Sequence, residues 1–421
     1  MAAIKPFKGI RYNQSAVKDL GKVITPPYDV IDSAEQERLH LKNPYNIIRL
    51  EYGISYPGDN QSENRYTRAA ATFRQWLEES VLQADPENSF YLYEQSYNWN
   101  GKSLRRRGVI AALKLVPYKE KVVLRHELTM AGPKADRMEL LRALRTNVSP
   151  IFTLFPDPEK RLDVLFSTVD YNSPAAVAHE ESGQTHRLWS LTDPGLHASL
   201  VEYLAPQPLL IADGHHRYET ALSYHLDRQN EPESGYVLTI MVSMQDPGLL
   251  VLPTHRLLSG LTPGQKQAMS EIIEQGFEVI GQGNPAELDR ADYLDRLYAV
   301  SREKGGFGLI TAERACLLIP KVPTGEDMLP VALLHDNILK PLLAPEDSSD
   351  ADKKMLSYPH DLDSAVDAVV AGSSDAAFIL EPVAVDKVLE HARQGKVMPQ
   401  KSTFFYPKLP SGLVLYSMDL S

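Results

Sequence analysis

Hydrophobic and polar positions follow two different periods along this chain. Between residues 62 and 82 apolar side chains recur every three or four positions, which predicts a helix with one buried face; they are Tyr66, Ala69, Ala70, Phe73, Trp76 and Leu77. Residues 236–242 are apolar almost without interruption, as in a strand that is buried on both faces. A chain with both patterns is predicted to have a mixed α/β fold around a central sheet.

Shorter segments extend this prediction. Strands are expected at residues 9–12, 45–50, 91–95, 108–113, 187–191 and 209–212, and helices are expected from Ser33, across 136–147 and within 157–205. Two prolines before Tyr28 and Asp29 predict a rigid, extended loop that holds Asp29 at the end of a strand.

The 421 residues are too many for one compact core and indicate two or three domains. Residues 1–85 and 205–260 are predicted to form a common core. Residues 86–204 are predicted to be a mainly antiparallel α+β insertion. Residues 261–421 are predicted to form a C-terminal α/β region whose tail returns toward the functional site.

Composition and charge restrict the possible partners. The hydrophobic fraction of 43% and charged fraction of 24% are typical of a globular protein. A formal net charge of -11 disfavours nucleic acid as the main partner. Cys316 is the only cysteine, which favours a reducing compartment, and no stretch reaches membrane-spanning length. We therefore expect a cytoplasmic protein that does not bind membranes.

The segment Asp213-Gly214-His215-His216-Arg217 combines the features of an anion site. The apolar residues before it predict a strand that leads directly into a helix beginning near His216. A helix start presents N–H groups and the positive end of the helix dipole. Gly214 allows close approach of an anion, His215 and His216 add donors, and Arg217 can bind two phosphate oxygens at once. The segment therefore predicts a phosphate-binding site.

Asp213 is unexpected in such a site, because a carboxylate repels phosphate. Its presence would make sense if it had a chemical task, either accepting a proton from a hydroxyl group or holding a magnesium ion. The alternative is an ordinary helix start in which Asp213 is the cap and the two histidines pack nearby.

Residues 212–218 resemble the signature segment of the ParB/sulfiredoxin-like superfamily, whose turn holds nucleotide phosphates. Four further segments, at 26–31, 43–46, 252–256 and 399–408, look with it like the bacterial and archaeal family called domain of unknown function 1015. The resemblance implies a nucleotide-binding core of the ParB/sulfiredoxin-like fold.

Free-serine kinases in that superfamily carry a similar Asp-Gly-His-His-Arg segment. The resemblance implies a nucleotide-dependent kinase that phosphorylates the hydroxyl of a small metabolite such as free L-serine, with ATP or ADP and magnesium as cofactors. The residues that would hold the donor phosphates are Gly214, His215, His216 and Arg217. Asp213 or Asp29 would accept the substrate proton, and His216 is a third catalytic candidate.

Two other groups are candidates for substrate binding. Thr254, His255 and Arg256 follow an apolar stretch and could bind a second phosphate or a substrate carboxylate; the alternative is an exposed strand end with a charged tip. Lys134 and Arg137 lie in a dense group of donors and acceptors at a predicted helix start, which could form a lid or simply a cap with salt bridges.

Two other functions stay open. A non-catalytic sensor would bind ATP, ADP or CTP and change shape for a protein partner. A phosphoester hydrolase would release inorganic phosphate at the same segment without any nucleotide. The sequence also leaves open whether the chain forms a homodimer.

Overall fold

The structure is a computed structural model that describes residues 1–323, 325, 328–343 and 355–420. The chain divides into two compact units. The first consists of Met1–Arg125, Thr129–Leu250 and Pro407–Ser421, and the second consists of His126–Leu128 and Val251–Tyr406. The predicted mixed α/β class is confirmed.

Short and long strands occur in both units. In the first 250 residues they are β1 Ile4–Lys5, β2 Ile10–Tyr12, β3 Leu82–Ala84, β4 Phe90–Trp99, β5 Lys102–Lys114, β6 Val123–Leu124, β7 Thr146–Asn147, β8 Ile151–Phe155, β9 Ala176–His179, β10 Thr185–Leu191, β11 Leu209–Asp213 and β12 Tyr236–Ser243. From residue 250 onward they are β13 Leu250–Leu252, β14 Arg256–Leu258, β15 Phe277–Gly283, β16 Phe307–Thr311, β17 Ala315–Pro320, β18 Leu356–Ser357, β19 Ala376–Ile379, β20 Phe404–Tyr406 and β21 Tyr416–Ser417.

The α-helices also occur in both units. Those of the first unit are α1 Ser33–Lys42, α2 Ile48–Glu51, α3 Arg65–Glu78, α4 Ala131–Leu144, α5 Arg161–Phe166, α6 Pro194–Leu204 and α7 His215–Leu226. Those of the second unit are α8 Pro263–Gly276, α9 Arg290–Lys304, α10 Pro330–Leu334, α11 Lys340–Leu342, α12 Leu362–Val370 and α13 Val385–Arg393. Among the described residues, no helix is both long and apolar enough to cross a membrane.

A nine-stranded mixed sheet forms the centre of the first unit. Its order is β6-β11-β8-β12-β5-β4-β10-β9, and β1 pairs with β5. β12 runs parallel to β8 on one side and antiparallel to β5 on the other, and every residue after Tyr236 in it is buried. The predicted strand that is buried on both faces is therefore confirmed.

The chain is divided differently from the three-part prediction. Strands β4, β5, β6, β8, β9 and β10 come from the region expected to be an insertion, yet they pair in one sheet with β11 and β12. Hydrogen bonding along whole strands joins the two regions into one unit. Apart from His126–Leu128, the boundaries between the units fall after Leu250 and after Tyr406, so the tail from Pro407 belongs to the first unit and not to the predicted C-terminal region.

Two local predictions are wrong. Residues 45–50 do not form a strand, because the Asn46 side chain accepts from the N–H of Ile48 and starts the short helix α2. Asp29 does not lie at a strand end; it is exposed in a 3-10 turn, Tyr28–Val30.

Three helices form the layer next to the candidate site. α7 buries Tyr218, Ala221 and Tyr224, which recur at helical spacing, and it packs against α4. α4 in turn packs against α3, whose buried face includes the predicted Phe73 and Trp76. These contacts hold the start of α7 at the end of β11.

The second unit has its own sheet, in the order β15-β17-β16-β19-β14-β18. Every pairing in it is antiparallel, and side chains of α9 and α12 fill a core on it. The sequence at 346–350 is acidic and polar, which predicts an exposed loop, and these residues lie outside the described part of the chain.

Candidate phosphate-binding site

The predicted strand-turn-helix is present at Asp213. β11 ends there, with an irregular register against β8 between Ile211 and Asp213. Gly214 has φ of +96°, a left-handed conformation that L side chains rarely adopt, and a Cβ there would lie 3.1 Å from Ile151 Cδ1. Within the described residues no side chain caps α7. Its first N–H groups have no partner inside the helix, as an anion site requires.

The Asp213 carboxylate lies between two cations. Its Oδ2 accepts from an Arg217 nitrogen at 2.5 Å, and its Oδ1 accepts from Lys408 Nζ. The side chains of Asp213, Arg217 and Lys408 are only 11%, 10% and 17% exposed. Arg217 also donates to the carbonyl of Pro150. Both carboxylate oxygens are thus occupied by positive groups.

These charges keep Asp213 ionised. Burial alone would raise its pKa, but the charges of Lys408 and Arg217 and the Lys408 hydrogen bond outweigh it, so the pKa of Asp213 lies well below its usual range. A carboxylate with so low a pKa is a weak proton acceptor. Asp213 is therefore better suited to holding cations than to acting as a base.

Asp29 lies close to the same cations. Burial lowers the pKa of Lys408, yet the charges of Asp213 and Asp29 raise it to above its ordinary value. The same two carboxylates also raise the pKa of Arg217 against the effect of burial. Asp29 is itself exposed to solvent, so it differs from Asp213 in being accessible to a substrate.

The two histidines of the segment have different surroundings. His215 is buried, and its electrostatic interaction with Asp213 is one of the smaller causes of the low pKa of Asp213. His216 accepts the N–H of Met130 through Nε2 at 2.9 Å. Since Met130 is the N-cap residue of α4, His216 links the starts of two helices. Its Nε2 acts there as an acceptor, which places the proton of a neutral ring on Nδ1.

Lys134 and Arg137 both lie on α4, and both are engaged in ion pairs. Lys134 Nζ is 3.2 Å from a carboxylate oxygen of Glu219 on α7. Arg137 is buried, pairs with Asp136 at 2.6 Å and donates to the carbonyl of Glu51 at 3.0 Å. These contacts match the predicted cluster of donors and acceptors, and a substrate role for either residue stays a prediction.

Tyr28 lies against this cluster. Its ring centroid is 4.0 Å from the guanidinium carbon of Arg137. Burial raises the pKa of Tyr28 to about 12, although Arg137 and Arg217 act in the opposite direction. Tyr28 is therefore a neutral hydrogen-bonding group at physiological pH.

A cavity of about 50 Å³ adjoins Arg217 and Arg137. Glu51, Ser149 and Thr220 contribute to its wall, and Ser149 Oγ donates to Glu51 Oε1 at 3.0 Å. The volume is sufficient for ordered water or a small polar group. Sequence reasoning missed Glu51 because its segment was predicted as a strand; the signal was an acid directly after an apolar run.

Thr254, His255 and Arg256 belong to the second unit and are buried there, not at an exposed strand end. Arg256 donates to the carbonyls of Thr254 at 2.6 Å and of Gln400 at 3.2 Å. His255 Nδ1 accepts from the N–H of Leu380, and burial lowers the pKa of His255 to about 4. A substrate role for these three residues also stays a prediction.

Of the two tasks that the sequence allowed for Asp213, holding a magnesium ion fits its surroundings poorly. Both carboxylate oxygens, which would be the ligands of the ion, already contact cations. Within residues 1–323, 325, 328–343 and 355–420, no three His, Cys, Asp or Glu side chains are grouped to hold a metal ion.

The fold and site define a mixed α/β protein with a candidate anion site at the start of α7. The family model described as protein of unknown function (DUF1015) matches residues 4–339, and the chain belongs to this family, as the sequence resemblance indicated. No curated protein matches the chain.

Several solved structures are similar to this one. A conserved hypothetical protein from Pyrococcus furiosus has 17% identity and a TM-score of 0.39, covering 75% of this chain and 97% of its own. A free serine kinase in complex with AMP has 14% identity and a TM-score of 0.38, covering 75% and 93%. C-terminally truncated SbnI from Staphylococcus aureus has 9% identity and a TM-score of 0.36, covering 71% and 85%. At these TM-scores the likeness assigns neither an activity nor a ligand to this chain.

Proposed function

We propose that this protein is a phosphotransferase that moves a phosphoryl group from ATP or ADP to the hydroxyl of a small metabolite, with free L-serine as the first acceptor to test. The observation that supports it most is the start of α7. There, helix N–H groups follow the left-handed Gly214, and Arg217 is held beside them by Asp213. An anion is stabilised by such a helix start and by a guanidinium.

The residues divide into binding and chemical roles. The backbone of Gly214, His215 and His216, together with Arg217, binds the donor phosphates. Asp213 keeps Arg217 oriented. Asp29 accepts the proton of the substrate hydroxyl, because it is exposed and lies near the cations, whereas Asp213 has too low a pKa for this task.

The test is direct. The protein is incubated with ATP or ADP, magnesium chloride and a panel of hydroxyl metabolites that includes L-serine, and products are identified by mass spectrometry. We expect one phosphorylated acceptor. Arg217→Met should lower the rate about 100-fold, as loss of one oriented donor to a developing charge does. Arg142→Met is the matched control, because Arg142 forms an exposed pair with Glu139 on α4.

Other outcomes identify the alternatives. Nucleotide binding without any product would support the non-catalytic sensor. Release of phosphate from phosphoserine without nucleotide would support the hydrolase. Asp29→Asn should slow transfer without weakening nucleotide binding, and unchanged transfer in that variant would contradict the assignment of Asp29 as base.

A further inference from the structure

Two buried polar side chains hold the main chain at Lys408. A nitrogen of Arg106 donates to the carbonyl of Pro407 at 2.7 Å, and the Gln95 amide donates to the carbonyl of Lys408 at 3.1 Å. Arg106 also donates to Gln95 Oε1 at 2.5 Å. Both side chains are 0% exposed. The backbone on each side of the Lys408 Cα is therefore fixed from inside the first unit.

Gln95 and Arg106, which anchor the main chain at Lys408, belong to the same sheet as Asp213. Gln95 and Arg106 are directly opposite each other in the pairing of β4 with β5. The guanidinium carbon of Arg106 is 4.8 Å from the ring centroid of Phe152, and Phe152 pairs with Asp213 across β8 and β11. The sheet, together with this guanidinium–ring contact, thus sets the position of the Lys408 backbone relative to Asp213.

Burial of Arg106 is costly to the fold. Removing a guanidinium from water is unfavourable, and burial lowers the pKa of Arg106. An apolar pair could fill a similar volume without that cost. The benefit that offsets the cost is the fixed position of the main chain at Pro407, whose carbonyl oxygen accepts a hydrogen bond from Arg106.

The formal charges of the side chains around Asp213 explain why Lys408 favours the binding of an anion. Arg217 and Lys408 are positive and Asp213 and Asp29 are negative, so these four groups balance. Without Lys408 the two carboxylates would outnumber Arg217 and would repel phosphate. An ammonium has three donor hydrogens, so it can contact a carboxylate and a phosphate at the same time.

We propose that Lys408 is a second cationic ligand of the phosphate group that binds at the start of α7, and that Gln95 and Arg106 are positioning residues for its ammonium. The proposal rests on the proposed function of the same site. It adds to that function a residue from the far end of the chain and an anchor in the middle of the sheet.

Binding of ADP and of inorganic pyrophosphate to the full chain, measured by isothermal titration calorimetry, tests the role of Lys408. Lys408→Met should weaken both affinities at least about tenfold, with a larger loss at low salt. Lys401→Met is the control, because Lys401 is an exposed lysine of the same tail. Ethylammonium added to Lys408→Ala should restore part of the pyrophosphate affinity, which a purely structural lysine would not allow.

Double variants test whether Arg106 and Gln95 act on phosphate binding through Lys408. If Arg106 acts through Lys408, Arg106→Met should weaken pyrophosphate binding in the parent chain but cause no further loss in the Lys408→Met background. Equal losses in both backgrounds would show a structural role only. Gln95→Leu gives a second, smaller perturbation of the same anchor should Arg106→Met fail to fold.

The possible failures are distinguishable. If the parent chain binds pyrophosphate and Arg217→Met does not, while Lys408→Met binds like the parent, the inference is overturned and the proposed function stands. If the parent chain binds neither ADP nor pyrophosphate, both are overturned.

Discussion

Asp213→Asn should destabilise the first unit strongly. The change keeps the size of the side chain but removes the negative charge between Arg217 and Lys408, which are both at most 17% exposed. Removing one partner of a buried ion pair costs roughly 3–5 kcal/mol, because an uncompensated charge stays behind. Arg217 keeps its bond to the Pro150 carbonyl and Asp29 stays nearby, so we expect the lower end of that range, about 3 kcal/mol.

Urea unfolding measures this loss of stability, and hydrogen exchange at the amides of β11 and α7 shows whether it arises at the site. Excess inorganic phosphate should stabilise Asp213→Asn more than the parent chain, because the anion can replace the missing carboxylate; saturation at about 100 times Kd corresponds to roughly 2.7 kcal/mol. Adding Lys408→Met to the variant should recover part of the loss. The reasoning is refuted if Asp213→Asn is as stable as the parent chain and phosphate stabilises both equally.

Two further changes test other features. Gly214→Ala should cost about 1–3 kcal/mol, because φ of +96° strains an alanine and its Cβ would lie 3.2 Å from Arg217 Cζ. Calorimetry checks it against Gly132→Ala, where the added Cβ meets open space. Burial lowers the pKa of His255 to about 4, below the usual value near 6.5. The neutral form therefore stabilises the second unit fully above pH 6.5, and this stabilisation is lost progressively as the pH falls toward 4. Urea unfolding at pH 7 and pH 4 measures this effect: His255→Gln should reduce the difference between the two free energies of unfolding by about 3 kcal/mol. An unchanged difference would contradict the attribution of this pH dependence to His255.

The local part of the site was predictable from the sequence. A strand that leads through glycine into a helix is determined by neighbouring residues, so Asp213, Gly214 and Arg217 could be placed correctly. The same holds for β12, because a short and almost unbroken apolar run is typical of a strand that is covered on both faces. Short-range patterns suffice where short-range interactions decide the structure.

The long-range part was not predictable. The tail was expected to return toward the site, but Lys408 is 195 positions from Asp213, and no local pattern shows which side chain of the tail reaches the acid. Arg106 lies between two other arginines, in a run that looks like a solvated surface, yet it is fully buried. Glu51 could not be identified as a site residue because the buried isoleucines before it are compatible with a short helix as well as with a strand. The hydrogen bond to the side chain of Asn46 favours the helix.

The position of Asp213 accounts for an acid in an anion site. Arg217 and Lys408 both contact this one carboxylate, and without it two buried cations would repel each other and the site would not stay assembled before an anion arrives. Such an acid is thus expected when the cations must be preorganised, and it need not take part in proton transfer. Because the pKa of Asp213 lies well below its usual range, its ionisation does not change near neutral pH. Any loss of phosphotransfer in mildly acidic solution must therefore come from a group other than Asp213.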